Sequence, residues 1–222
     1  MPQLIAMVIV VVGAMIYMFQ TFGGTGDKIE GVAQKGSVIT EINNIRDGLK
    51  IAAKSEQIGA ATSVTTDKYT TLEGLANLAY FAEQINDQIK TSADNTGTTV
   101  DDYNIYKAIS FGGDATTTAG ALELSLVADA VGYIPGIFVD LSKGTLAGNA
   151  AFLEAQLAND LGDISFIDRT ATSASTGTTA PRNATGTTLE KRTPADNGQA
   201  GTNIDGKFII YFKDFGSDEV VK

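Results

Sequence analysis

The chain has 222 residues, of which 43% are hydrophobic and 19% are charged, and its formal net charge is −10. It contains no cysteine and no histidine, which excludes disulfides, thiolate nucleophiles, Cys/His zinc sites and Ser-His-Asp triads. The acidic balance argues against nucleic-acid binding, because an acidic chain repels phosphate backbones.

The first element in the chain is an apolar segment. No side chain from Met1 to Gly26 is charged, and the stretch from Leu4 to Phe22 is almost entirely apolar. As a helix, these 19 residues would span roughly 28 Å, which is close to the thickness of a bilayer core. We predict an apolar helix that spans a membrane or packs against copies of itself.

Several residues of this segment suit contact with lipid or with another helix. Tyr17, Phe19 and Phe22 cluster at its far end, as an interfacial aromatic belt would. Gly13 permits the close approach of a second helix. No basic residue precedes the apolar run and no small-residue cleavage site closes it, so a signal peptide fits poorly. We expect instead that a basic leader has been removed ahead of Met1.

A glycine-rich joint follows the apolar segment. It contains Gly23, Gly24 and Gly26, and each glycine disfavours a continuous helix by about 1 kcal/mol. We therefore predict a melted or extended connection at this point.

Residues 28–55 return to a helical period. Apolar residues at spacings of three or four, with one gap of seven, form a stripe: Val32, Ile39, Ile42, Ile45, Leu49 and Ala52. The charged residues are predicted on the opposite face: Lys35, Glu41, Arg46, Asp47, Lys50 and Lys54. The pattern fits a helix packed on its own domain and also the lower half of a long rod, and both can hold.

The rest of the chain mixes helical and strand patterns. A capping box of Thr70 and Glu73 predicts a second helix that continues to about Lys90. Pro135 and Gly136 predict a turn followed by a strand. The other predicted elements are strands over 103–111, 121–127, 164–167 and 207–215 and a helix over 148–161. We expect the strand over 207–215 to be central in an antiparallel sheet.

A stretch of Thr, Ser, Gly, Ala and Asn over 170–203 predicts a long surface loop, with Leu189 as its only large apolar side chain. Asn183 begins an N-x-T triplet and is a possible glycosylation site. Asp214, Asp218 and Glu219 could bind calcium, although acids separated by Gly and Ser are usually solvated. We predict no catalytic residue, no cofactor and no metal site.

The apolar start, the glycine joint and the amphipathic continuation resemble type IV pilins, and most closely their type IVb branch. The texture of residues 34–50, with NNIRDGLK at Asn43–Lys50, is similar to the stem of that branch. The resemblance covers about residues 1–55, and over the remainder it is architectural only. It implies an α+β fold in which a long N-terminal apolar helix, the stem, carries a C-terminal globular head of antiparallel sheet flanked by helices.

The resemblance also implies a function. Pilins are structural subunits of extracellular filaments used in adhesion or motility, and they are not enzymes. Their implied partners are identical subunits in a helical homopolymer, the membrane before assembly, a prepilin peptidase and inner-membrane assembly machinery. The residues implied in assembly are Met1, Gln3, Ile5, Gly13, Tyr17, Phe19, Phe22, Gly23 and Gly24.

Two departures from the family pattern matter. Pilins usually carry Glu at the fifth position, where it is thought to pair with a neighbouring subunit's terminal amine, and this chain has Ile5. The family's common C-terminal disulfide cannot form, since the chain has no cysteine. Ile5 is compatible with a divergent pilin, with a minor tip-like subunit, or with an archaeal filament protein.

The predicted organisation is an apolar assembly segment with its joint at 1–26, a stem helix at 27–56 and a head at 57–222. Two alternatives to a filament subunit remain. One is a single-pass membrane-anchored surface domain that binds a partner without polymerising. The other is an anchored hydrolase that uses carboxylates, which the lack of His and Cys disfavours.

Overall fold

The computed structural model describes residues 31–60, 69–92, 103–108, 122–128, 130–169, 171, 173–174 and 205–222. The described chain is α+β. Its helices are α1 at 31–54, α2 at Leu72–Asn77, α3 at Glu83–Ser92 and α4 at Ala150–Leu161, and a 3₁₀ helix at Gly144–Asn149 leads into α4. Its strands are β1 at Tyr106–Lys107, β2 at Glu123–Val127, β3 at Gly136–Asp140, β4 at Ser165–Asp168 and β5 at Lys207–Phe212.

The five strands form one antiparallel sheet in the order β1-β2-β3-β5-β4. Strand β5 pairs with β3 on one side, where Ile210 faces Ile137, and with β4 on the other, where Ile210 faces Ile167. This arrangement confirms the interior position expected for the strongest strand pattern. Strands β2, β3 and β4 also confirm the predicted pattern, with ends shifted by one or two residues.

The described helices contribute their buried apolar side chains to a single core, on one face of the sheet. From α1 this core receives Val38, Ile42, Ile45, Leu49, Ala52 and Ala53, all of them fully buried. Leu153 and Leu157 of α4 and Phe208 and Ile210 of β5 belong to the same core. The amphipathic pattern of the stem therefore packs on its own domain.

The rotational setting of α1 differs from the prediction at its first turn. Val32 was expected in the buried stripe, but 60% of its surface is exposed. Val38, which the spacing argument passed over, is buried instead. The buried positions of α1 run from Gly31 through Val38, Ile42 and Ile45, so Val32 lies beside this stripe and not in it.

The prediction of one long second helix was wrong, because two short helices occupy that stretch. The Thr71 side chain, and not that of Thr70, accepts a hydrogen bond from the Gly74 amide at 3.3 Å and caps α2. Helix α2 then ends in a turn in which Ala79 has φ of 58°. Such a left-handed residue is uncommon outside glycine and stops a helix.

Other predicted elements are shorter in the structure. Strand β1 covers only Tyr106–Lys107, and residues 109–111 of that prediction lie outside the described residues. Strand β5 ends at Phe212, after which the chain turns. Most of the predicted 170–203 loop also lies outside the described residues. Ala171, near its start, is 1% exposed, so this position is buried and not on the surface as predicted.

Candidate assembly surface

The residues predicted to act in assembly lie outside the described residues: Met1, Gln3, Ile5, Gly13, Tyr17, Phe19, Phe22, Gly23 and Gly24. Asn183, the possible glycosylation site, does as well. Among the helices that the structure describes, none combines the length and apolar character needed to cross a bilayer. The structure therefore informs assembly through the surface of α1, which directly follows the predicted joint.

Two of the three lysines of α1, Lys35 and Lys50, are directed toward the head and not away from it. Lys35 Nζ lies 2.6 Å from Asp160 Oδ2 at the end of α4. Lys50 Nζ donates to the Asp214 carbonyl at 2.7 Å and lies 3.1 Å from its carboxylate, with Glu219 at 3.8 Å. Both lysines are half-buried. They lie beside the core-facing stripe of α1, whereas the sequence predicted them on the opposite face of the helix.

Glu41 joins α1 to two further elements. Tyr106 Oη on the edge strand β1 lies 2.8 Å from Glu41 Oε2 and 3.0 Å from Gln88 Oε1 on α3. Burial, and after it the neighbouring Glu41 carboxylate, raise the pKa of Tyr106 well above its usual range. The phenol therefore stays protonated and donates, which links the stem, β1 and α3 through one side chain.

Arg46 completes the set of half-buried charges on α1. Its guanidinium lies over the Phe212 ring, 5.2 Å from the centroid, and 2.8 Å from the adjacent Asp47. A cation over an aromatic face is worth about 0.5–1 kcal/mol at such partly exposed positions. Four of the six charges predicted on the opposite face thus flank the core, and Asp47 and Lys54 alone are exposed as predicted.

Because four charged side chains of α1 lie beside the core, the outward face of α1 consists mainly of small and uncharged residues. We call this the outer stem face. Its exposed residues are Val32, Ala33, Gly36, Ser37, Thr40, Asn44, Asp47, Ile51 and Lys54. No exposed residue of α1 between 32 and 44 carries a charge.

Two glycines of α1 show how differently its faces are constrained. A Cβ built on Gly48 would lie 2.2 Å from the Phe81 ring and 3.0 Å from the Tyr80 carbonyl, so the fold of the head requires glycine there. A Cβ built on Gly36, on the outer stem face, meets nothing within 4 Å. Glycine inside a helix costs about 1 kcal/mol relative to alanine, and no close contact with another described residue calls for glycine at position 36.

The first described turn of α1 lies against α4. A Cβ on Gly31 would lie 3.0 Å from the Phe152 ring, and Asn149 Nδ2 donates to Gln34 Oε1 at 3.1 Å. Phe152 remains 42% exposed and Val32 is more so. Val32 and Phe152 therefore expose apolar surface near the first described turn of α1, the end of the helix that is closer in sequence to the predicted joint.

The described residues give no support to the calcium hypothesis. Among them, no group of acidic residues is arranged to hold a metal ion. Asp214 and Glu219 instead pair with Lys50, and Glu219 accepts a hydrogen bond from the Gly216 amide at 2.8 Å. A lysine already occupies the position that a cation would take between these carboxylates.

Comparison of the chain with protein-family models, with curated proteins and with solved structures finds no match in any of the three. Sequence reasoning missed the way in which the charges of α1 anchor the stem, because Asp160, Asp214 and Tyr106 lie far from α1 in the sequence. It also missed the open surroundings of Gly36, although glycine in the middle of a helical pattern is itself a signal.

Proposed function

We propose that this chain is a structural subunit of an extracellular, type IV pilus-like filament. The observation that carries the proposal is that two uncharged stretches follow one another along the chain, separated by the charged stretch at 27–30. An uncharged segment at 1–26 precedes a helix in which Lys35, Glu41 and Lys50 contact the rest of the domain, and the outer face of that helix is small and uncharged from 32 to 44. Such a helix fits close packing against apolar helices.

The energetic basis is burial of the apolar segment. Packing 19 mostly apolar residues between subunits contributes tens of kcal/mol gross, at about 25 cal/mol per Å² of apolar surface removed from water. Before assembly the same segment resides in the membrane, since its length suits a bilayer core of about 30 Å. The joint at Gly23, Gly24 and Gly26 lets the helix stretch or bend as subunits pack.

In a subunit whose assembled form begins at Met1, Ile5 changes how the terminal amine is accommodated in the filament. Without a carboxylate at that position, a buried ammonium at Met1 would lack an ionic partner, which is costly. The available acceptors are the side-chain carbonyl of Gln3 and backbone carbonyls of adjacent subunits, and Ile5 packs in an apolar contact. Filament yield should therefore not rise in an Ile5→Glu variant, and it should fall in Gln3→Leu.

The direct test removes the apolar segment. Deletion of residues 1–26 should give a folded head that does not polymerise, whereas the full chain should appear as filaments in negative-stain images of sheared surface material. Filaments formed by the truncated protein would refute the proposal. A full chain that stays dispersed in the membrane would instead favour the membrane-anchored binding domain.

A point variant on α1 sharpens that test. Ser37→Arg places a long cation on the outer stem face, where the isolated subunit has room for it. It should leave the fold intact and reduce filament yield. Thr91→Arg, at an exposed position of α3, is the matched control and should assemble normally. Equal yields from both variants would show that the outer stem face takes no part in assembly.

A further inference from the structure

The face of the sheet that points away from the helices, here called the outer sheet face, is arranged in rows across the strands. The strand register places Lys107, Glu123, Asp140 and Lys207 in one row, Ser125, Phe138, Ile209 and Asp168 in the next, and Val127, Gly136, Tyr211 and Phe166 in the third. One end of the face is therefore charged and the other is apolar.

Nine of these twelve residues of the outer sheet face are buried, and Lys107, Phe166 and Lys207 are half-buried. Ile209 and Tyr211 are 0% exposed and Phe138 is 8% exposed. With Val127 and Ala171 they form a second apolar cluster, separate from the main core. None of the described helices contributes a side chain to this cluster. A single copy of the chain thus covers this face with something other than those helices.

The chain itself turns onto the outer sheet face directly after β4. Ala171 belongs to the second cluster and Ala174, the last described residue before 205, packs against it. Strand β4 ends at Asp168, so the chain reaches the apolar cluster within three residues of the end of that strand. The connection between β1 and β2, by contrast, leaves at Ala108 and returns at Leu122, beyond the charged row.

Glu154 of α4 fixes both ends of the β4–β5 connection. Its side chain is fully buried, and its two carboxylate oxygens accept from Arg169 Nε at 2.6 Å and from the Gly206 amide at 2.9 Å. Burial raises the pKa of Glu154, while these two hydrogen bonds oppose the rise. A buried carboxylate is stable only with such partners. We therefore infer that Glu154 anchors both ends of the β4–β5 connection to α4.

We propose that the outer sheet face is the docking site for residues 175–204 of the same chain. The 30 residues connect Ala174, which packs against the apolar cluster, to Asp205 and Gly206, which directly precede Lys207 of the charged row. They carry two large apolar side chains, Leu189 and Ile204. A second copy of the chain is not needed to explain the burial, since one copy already shows it. This inference does not depend on filament formation.

The test uses the absence of native cysteine, which makes a single introduced thiol specific. Ser125→Cys is a near-isosteric reporter in the middle row of the face, and Thr91→Cys is an exposed reference. Labelling by a maleimide is measured in the full chain in mild detergent, before and after residues 175–204 are replaced by a short Gly/Ser linker. The matched control replaces residues 61–68, whose ends are held by the Ile58–Tyr69 bridge.

We expect Ser125→Cys to react slowly with the maleimide in the intact chain. After replacement of 175–204 its labelling rate should rise about tenfold or more, because the thiol is then exposed without local unfolding of the segment that covers it. Replacement of 61–68 should leave the labelling rate of Ser125→Cys unchanged. Ala52→Cys, in the main core, should stay slow throughout and so reports that each variant is folded. If the shortened chain does not fold, the full-length Leu189→Ser/Ile204→Ser variant is used and should also speed labelling.

Three results would overturn the inference. Labelling of Ser125→Cys could match Thr91→Cys in the intact chain, which would mean that the face is open. It could stay slow in both the shortened and the Leu189→Ser/Ile204→Ser chains, which would assign the cover to another segment. It could slow as protein concentration rises, which would assign the cover to a second copy.

Discussion

The inward and outward faces of α1 differ in how far contacts within the subunit explain their residues. On the inward face, the identity of each residue is explained by what it touches: Leu49 is fully buried and Gly48 leaves room for the Phe81 ring. On the outward face, a Cβ added to Gly36 would meet no described residue within 4 Å. Residues that the head does not explain are the ones to examine for contacts with other molecules.

The same contrast appears in the placement of charge. Lys35, Glu41 and Lys50 could have kept the outer stem face solvated, yet each contacts the head. Exposed ion pairs contribute only about 0–1 kcal/mol to stability, so their effect on the fold is modest. Their larger consequence is an outward surface, from 32 to 44, that a neutral helix can approach without desolvating a charge.

The largest effect is expected on the inward face of α1. Leu49→Ala should lower the free energy of unfolding by about 3 kcal/mol, because it removes buried apolar contacts and leaves a cavity. Chemical denaturation followed by circular dichroism measures the change. Ser37→Ala is the matched control on the outer stem face and should be close to wild type. A loss of similar size in both variants would erase the distinction between the faces.

The two glycines give opposite predictions for one substitution. Gly48→Ala should destabilise by about 1–3 kcal/mol, because the new methyl group overlaps the Phe81 ring. Gly36→Ala should stabilise by about 0.5–1 kcal/mol, because helix propensity rises and the site is open. Thermal unfolding of the two variants side by side checks the pair. A shift in the same direction for both would contradict the assigned faces.

A smaller gain is expected at the end of α2. Ala79 holds φ of 58°, a conformation that glycine adopts at lower cost, so Ala79→Gly should stabilise by about 0.5–1 kcal/mol. Ala76→Gly, inside the same helix and buried, should have the opposite sign. The midpoint of denaturant unfolding distinguishes them, and a destabilised Ala79→Gly variant would mean that the turn is formed differently.

The smallest effect is expected from the anchoring charges. The Lys35 and Asp160 side chains are 22% and 34% exposed, so Lys35→Gln should cost no more than about 0.5 kcal/mol, and less at high salt. Its effect on filament yield should also be small, because the change adds no bulk to the outer stem face. A large stability loss that persists in high salt would show that Lys35 supports the fold through packing.

Much of the fold could be predicted from the sequence, because strand alternation and helical spacing are local signals. Strand β5 and helix α4 are examples. The break after α2 could not be predicted, since Ala79 takes a glycine-like conformation without being glycine. The second apolar cluster was also missed, because Phe138 and Ile209 come together only through the register of β3 and β5. The assembly residues at 1–26 stay predictions, as they lie outside the described residues.

We propose that the apolar segment and the outer stem face join copies of this chain into a filament. Helical reconstruction by electron microscopy of filaments sheared from cells expressing the full chain tests it most directly. We expect residues 1–26 to bundle at the filament axis, with Gly36, Ser37 and Thr40 against neighbouring subunits. A full chain that forms no filaments, or filaments in which this face of α1 points to solvent, would contradict it.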